Sequence, residues 1–141
     1  MEIRKIKAED TWPVRHRVMW PNQPFDFVKV DEDHEGIHYG LFVDDELVSI
    51  VSLFLKDGKA QFRKFATEVQ HQGKGYGTIL LNYLLKEIEG HRVSSVWCNA
   101  RTEKAAYYER FGLHKTNATY MKGGIEFVVM EKTINKPTSV N

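Results

Sequence analysis

The sequence predicts a mixed α/β fold organised around a sheet. Three observations carry the prediction. Seven short runs are rich in apolar, β-branched and aromatic residues, as strands are. Three other segments read as helices, one from apolar residues at helical spacing and two from their cap and stop residues. The two kinds of segment interleave in the order β α β β β α β α β β, which is the pattern of a mixed sheet with helices.

The first run, IRKIKA, is a short strand. DTWPVRHRVMW follows as a helix, with Asp10 or Thr11 as its cap and Pro13 in its first turn. WPNQPFDFVKVDEDHEG has no clean period and is expected to be irregular and mobile. IHYGLFV, the turn DDE and LVSIVSLFL form a hairpin. After the turn KDGK, AQFRKFATEV is the next strand. Phe62 and Phe65 lie an odd distance apart there, so a bulge is needed to bring them to one face. YGTILLNYLLKEIEG is a strong helix: Leu80, Leu84 and Ile88 share a stripe, Leu81 and Leu85 flank it, and Gly90 stops it. HRVSSVWCN is a strand, and TEKAAYYERFG a short helix capped by Thr102 and ended by Gly112. TYMK, Gly123-Gly124 and IEFVVMEK close the chain as a hairpin. Residues 1–134 are expected to form one domain and 135–141 a frayed tail.

Composition narrows the function. A chain of 141 residues, 42% hydrophobic and 28% charged, has the size and apolar content of one globular domain. A net charge of +1 without a basic arm argues against nucleic acid as a partner. Cys98 is the single cysteine, so no disulfide forms within the chain, and a cytoplasmic setting is expected. No apolar run is long enough for a membrane span. The six histidines show no metal-ligand spacing, so no metal is expected.

The stretch QHQGKGYGT, residues 70–78, carries the chemistry. Glycine is destabilising at a helix mouth unless the backbone needs φ > 0 or a close approach. Helix-start amides lack partners inside the helix and, with the dipole, attract anions. Gly73, Gly75 and Gly77 would let phosphate oxygens approach the main chain, and Lys74 adds a cation. The Walker pattern is absent, and Gly77 falls one residue early for the dinucleotide pattern.

The spacing matches [RQ]xxGx[GA], here Gln72, Gly75 and Gly77, and resembles the pyrophosphate loop of the GCN5-related N-acetyltransferases (GNAT superfamily). A second motif agrees. AYYERFGL resembles that family's closing aromatic-Tyr-x-x-x-Gly-Phe run, and the upstream NAR resembles the Ala-Arg that opens its helix. Leu113 replaces the usual Phe, Lys104 stands where many members have Ala, and Arg101 where others have Asn. The resemblance implies a mostly antiparallel central sheet flanked by helices, with acetyl-coenzyme A as co-substrate. Phe65, Ala66 and Thr67 would hydrogen-bond its pantetheine arm through their backbone. Gln72, Gly73, Lys74, Gly75, Tyr76, Gly77 and Thr78 would hold its diphosphate, and Asn99 and Arg101 line its groove.

The implied reaction moves an acetyl group from a thioester to a primary amine. Tyr108 is the candidate general acid, since a phenol of pKa about 10 stays protonated at neutral pH. Tyr107, about 100° round the helix, should pack or line the acceptor side instead. Glu68 is the candidate base; Gln61, Arg63 and Lys64 stand where some relatives have a carboxylate. His71, His34 and His38, or a water chain, are alternatives for that role. The family binds acceptors in the region from Trp12 to Asp33, where Trp12, Trp20, Phe25 and Phe27 neighbour Asp26, Asp31, Glu32, Asp33 and Glu35. That segment reads equally as an aromatic satellite core with an acidic rim or as a mouth for a cationic amine. The acceptor is a small amine or a protein amine, the short chain favouring the former. A coenzyme A-binding sensor without turnover is the alternative. Oligomeric state stays open, a homodimer included.

Overall fold

Pairs of left-handed residues set the strand layout. Asp44 and Asp45 have φ of 50° and 65°, Asp57 and Gly58 54° and 73°, and Gly123 and Gly124 59° and 78°. Two consecutive positive φ angles make the two-residue turn whose twist suits antiparallel strands. In the computed structural model, which describes residues 1–134, these turns join β2 (Ile37–Val43) to β3 (Glu46–Lys56), β3 to β4 (Lys59–Thr67), and β6 (His114–Lys122) to β7 (Ile125–Thr133). With β1 (Glu2–Ile6), α1 (Ala8–Met19), α2 (Tyr76–Ile88), β5 (Ser95–Arg101) and α3 (Ala105–Glu109), the element order is the one the sequence predicts. The tail expected to fray, 135–141, lies outside the described residues.

The strands form a seven-stranded sheet in the order β1-β2-β3-β4-β5-β7-β6. β1–β2, β2–β3, β5–β7 and β6–β7 are antiparallel, and β4–β5 is parallel. The sheet is therefore mixed and mostly antiparallel, as expected. Two compact units make up the described residues: 1–54 with 62–86, and 55–61 with 87–134.

In the first unit, Val14, Ile50 and Ala66 form a core against which Ile6, Val18, Met19 and Leu47 pack. Leu80, Leu81 and Leu84 on α2 are fully buried. Burial of each such side chain is worth about 1.5–3 kcal/mol. α1 starts earlier than predicted, with Lys7 as its N-cap. Asp10 lies inside the first turn, where its carboxylate accepts the Lys7 N–H at 3.0 Å. Thr11 is buried and donates to the Ala8 carbonyl at 2.6 Å. Neither is the cap, and Pro13 falls in the second turn. Ala8, the first helical residue, is buried. The segment predicted to be irregular and mobile contains short 3-10 turns at Phe25–Val28 and Asp33–Glu35, and buried Val28 and Asp33 anchor it. Lys64 has φ of 57° within β4, a left-handed residue in the strand where the bulge is expected; Phe62 is buried and Phe65 half-buried.

In the second unit, β5 pairs along its full length with β7, Ser95 opposite Thr133 through Arg101 opposite Phe127. On its other side it pairs with Lys59–Gln61 of β4. The predicted helix after β5 splits into a 3-10 turn, Thr102–Lys104, and the five-residue α3. Lys104, not Thr102, precedes α3, and the buried Thr102 hydroxyl has no hydrogen-bond partner among the described residues. Gly112, with φ of 89°, ends the segment as expected. β6 is longer than TYMK. A register shift lies between Lys115 and Thr119. All but one of its residues are exposed, so no alternation betrays the strand.

Candidate active site

β4 ends at Thr67, a 3-10 turn covers Val69–His71, and Gln72–Gly75 are exposed before α2 begins at Tyr76. The three glycines divide into two kinds. Gly73 and Gly75 have φ of 76° and 84°, where a Cβ is strained by about 1–2 kcal/mol, and the space a Cβ would enter is open to 4 Å. Gly77 has an ordinary φ, and a Cβ there would stand 3.1 Å from Phe65 Cζ and 3.3 Å from Thr67 Oγ1. It lets α2 approach β4, whereas Gly73 and Gly75 leave open space beside the main chain. The Ile79 N–H makes the helix-type bond to the Gly75 carbonyl at 3.1 Å. The amides of Tyr76 and Gly77 precede it and have no acceptor within the helix. Together with the dipole they face an open, exposed turn carrying Lys74.

Several side chains brace this turn. Gln72 Nε2 donates to the Thr67 carbonyl at 2.9 Å, and its N–H to Val69 O at 3.2 Å. Ser49 Oγ donates to Ala66 O at 3.1 Å and lies 2.9 Å from Thr67 Oγ1. His71 tilts against Tyr76, with Nε2 3.6 Å from a Glu46 carboxylate oxygen. Glu68 is buried, and Arg17 donates to both of its oxygens. That ion pair ties α1 to the segment entering the loop. It leaves the base role expected for Glu68 without geometric support.

The segment after α1 is organised from beneath. Asp33, expected on an acidic rim, is 1% exposed. It accepts from Arg15 Nη1 and Nη2 at 2.8 and 2.9 Å, Trp12 Nε1 at 2.9 Å and the Val30 amide at 2.9 Å. Burial opposes its charge, but those bonds, led by Arg15, hold its carboxyl down to about 2. Arg15 also donates to Val28 O and to Ser52 Oγ. Ser52 Oγ lies 2.7 Å from His38 Nδ1, and His38 Nε2 2.7 Å from Asp33 O. His38 is thereby committed to the network. Sequence reading missed Arg15. The available signal was its place on α1's apolar stripe with Thr11, Val14 and Val18, where a charge must find a partner.

In the second unit, the rings of Tyr107 and Tyr108 stand 76° apart. Tyr107 packs edge-on against Phe111, as expected. Burial, then the neighbouring Cys98 thiol and Tyr107 phenol, push the Tyr108 phenol above its ordinary range. Burial also pushes the Cys98 thiol up to about 12. Lys132, unremarked in the sequence, donates from Nζ to the Phe111 carbonyl at 3.2 Å, beyond the C-terminal end of α3. Asn99 and Arg101 share one face of β5, opposite buried Cys98 and Ala100.

A mostly antiparallel mixed sheet whose β4 runs into an open glycine turn before a helix has the form of an acyl-coenzyme A transferase. The family model for the acetyltransferase (GNAT) domain matches residues 27–134, and the chain belongs to this family of N-acetyltransferases. It is 32% identical to the uncharacterized N-acetyltransferase YitI of Bacillus subtilis (strain 168), over 95% of this chain and 97% of that one. Its fold is similar to a putative N-acetyltransferase from Lactobacillus plantarum (TM-score 0.83, 18% identity, 96% and 100% covered). It is also similar to a GNAT acetyltransferase from Elizabethkingia anophelis with acetyl-CoA bound (TM-score 0.74, 12% identity, 94% and 97% covered). No helix among the described residues is long and apolar enough to cross a membrane.

Proposed function

We propose that the protein transfers the acetyl group of acetyl-coenzyme A to a small primary amine by direct attack. The observation that carries this reading is the exposed turn at Gly73 and Gly75, whose left-handed glycines leave open space before the helix-start amides. A diphosphate fits that cradle, and Lys74 adds charge. The backbone of Phe65, Ala66 and Thr67 takes the pantetheine arm, and Asn99 and Arg101 border it. The amine loses its proton to water, and its lone pair attacks the thioester carbon. The C–S bond breaks, the leaving thiolate takes the proton of Tyr108, and the nitrogen gives its second proton, through water, back to the Tyr108 phenolate, leaving the neutral amide.

The environment of Tyr108 supports the donation to the thiolate. Burial keeps the phenol in its protonated form at neutral pH, so its proton is in place when the thiolate leaves.

A panel of amines, read by release of free thiol, tests the reaction. At least one small amine should give turnover. Coenzyme binding with no release across small and peptidyl amines would replace the enzyme reading with a sensor. Tyr108→Phe should lower kcat by about 10²–10⁴-fold while leaving coenzyme affinity within a few-fold. Unchanged kcat would remove Tyr108 from the mechanism.

A further inference from the structure

The 3-10 turn Phe25–Val28 places a charged residue against two aromatic faces. Lys29 follows the turn and folds back over it. Its Nζ lies 4.8 Å from the centroid of the Trp12 ring and 5.8 Å from that of Phe25, and 2.8 Å from Asp26 Oδ1. The two rings are held before any ligand arrives. Trp12 is fixed by its indole bond to buried Asp33. Phe25 meets His16 edge-on at 5.6 Å, and His16 Nε2 lies 2.7 Å from the Gln23 carbonyl. Two aromatic faces and a carboxylate around an ammonium make a recognition site for alkylammonium ions. The occupant is held weakly: Lys29 is 41% exposed, Asp26 85% and Phe25 42%.

We infer that Trp12, Phe25 and Asp26 form a binding site for a primary alkylammonium, with Lys29 as an internal, displaceable occupant. Removing Lys29 empties the site without altering its walls. If the amine-acceptor reading above holds, the site selects acceptors with a second ammonium; the binding itself does not depend on that reading.

The indole N–H signals of the ¹⁵N-labelled chain report the occupant, Trp12 being assigned through Trp12→Phe. Butylammonium chloride is titrated at constant ionic strength, without coenzyme. In Lys29→Met the Trp12 signal should move at about tenfold lower concentration than in the native chain. Adding Asp26→Asn should reverse the gain. Equal midpoints in the native chain and Lys29→Met would overturn the site, as would equal movement of the Trp20 and Trp97 signals. Lys29→Gln serves if the Met variant loses spectral dispersion. With a diamine acceptor, Lys29→Met should lower KM and leave kcat unchanged. Absence of turnover with the titration intact would count against the acetyltransfer reading alone.

Discussion

Asp33 shows how one side chain organises a segment. Its carboxylate collects donors from α1, from its own turn and from the Val30 amide. A buried ion pair adds little net stability compared with apolar residues of the same shape, yet removing one partner strands a charge. Asp33→Asn or Arg15→Met should therefore each cost about 3–5 kcal/mol in urea denaturation. Arg15→Met with Asp33→Leu should cost less than the sum of the single changes. Additive losses would show that the pair is not coupled. The carboxyl of Asp33 is held to about 2 in the folded chain, against about 3.9 unfolded. A depressed value stabilises the fold above the unfolded pKa. That contribution, about 2–3 kcal/mol, should drain away as pH falls from about 4 to about 2. Asp33→Asn should flatten this part of the stability profile, and an unchanged slope would deny the pair its role.

At the scale of elements, the loop between β4 and α2 separates open, left-handed glycines from a packed one. Gly75 lies in the left-handed region over open space; Gly77 lies in ordinary backbone against Phe65 and Thr67. Gly75→Ala meets no neighbour, so its strain, about 1–2 kcal/mol, falls on the turn that is to hold the diphosphate. Gly77→Ala pushes α2 away from β4. Calorimetric titration with coenzyme A should show Gly75→Ala weakening affinity by about tenfold or more for that strain with a modest loss of stability. Gly77→Ala should lower stability first. The opposite ranking would reverse the two roles. The glycine spacing was legible because backbone demands are written in residue type. The bracing ion pairs were not, because Arg15 meets Asp33 18 residues away and Arg17 meets Glu68 51 residues away. Local periodicity carries no record of such partners.

Across the whole molecule, the element order was readable throughout, and the extents were readable where apolar residues face a core, as on α2 and β3; β6, exposed on both faces, runs longer than the predicted TYMK. The site follows the same division: the loop and Tyr108 stood out by motif, while the bonds that fix Glu68, His38 and Asp33 needed coordinates. On the proposed function, stability and ligand binding are written in different residues, and melting experiments should separate them. Coenzyme A at a hundredfold excess over Kd stabilises a folded binder by about 2.7 kcal/mol, which raises Tm by roughly 5–10 °C in a chain of this size. Asp33→Asn should lower the starting Tm and keep that shift, because its bonds lie beneath the segment after α1. Gly75→Ala should keep most of its starting Tm and lose most of the shift. A native chain whose Tm ignores the ligand would leave the open turn without a diphosphate to bind, whatever its glycines permit.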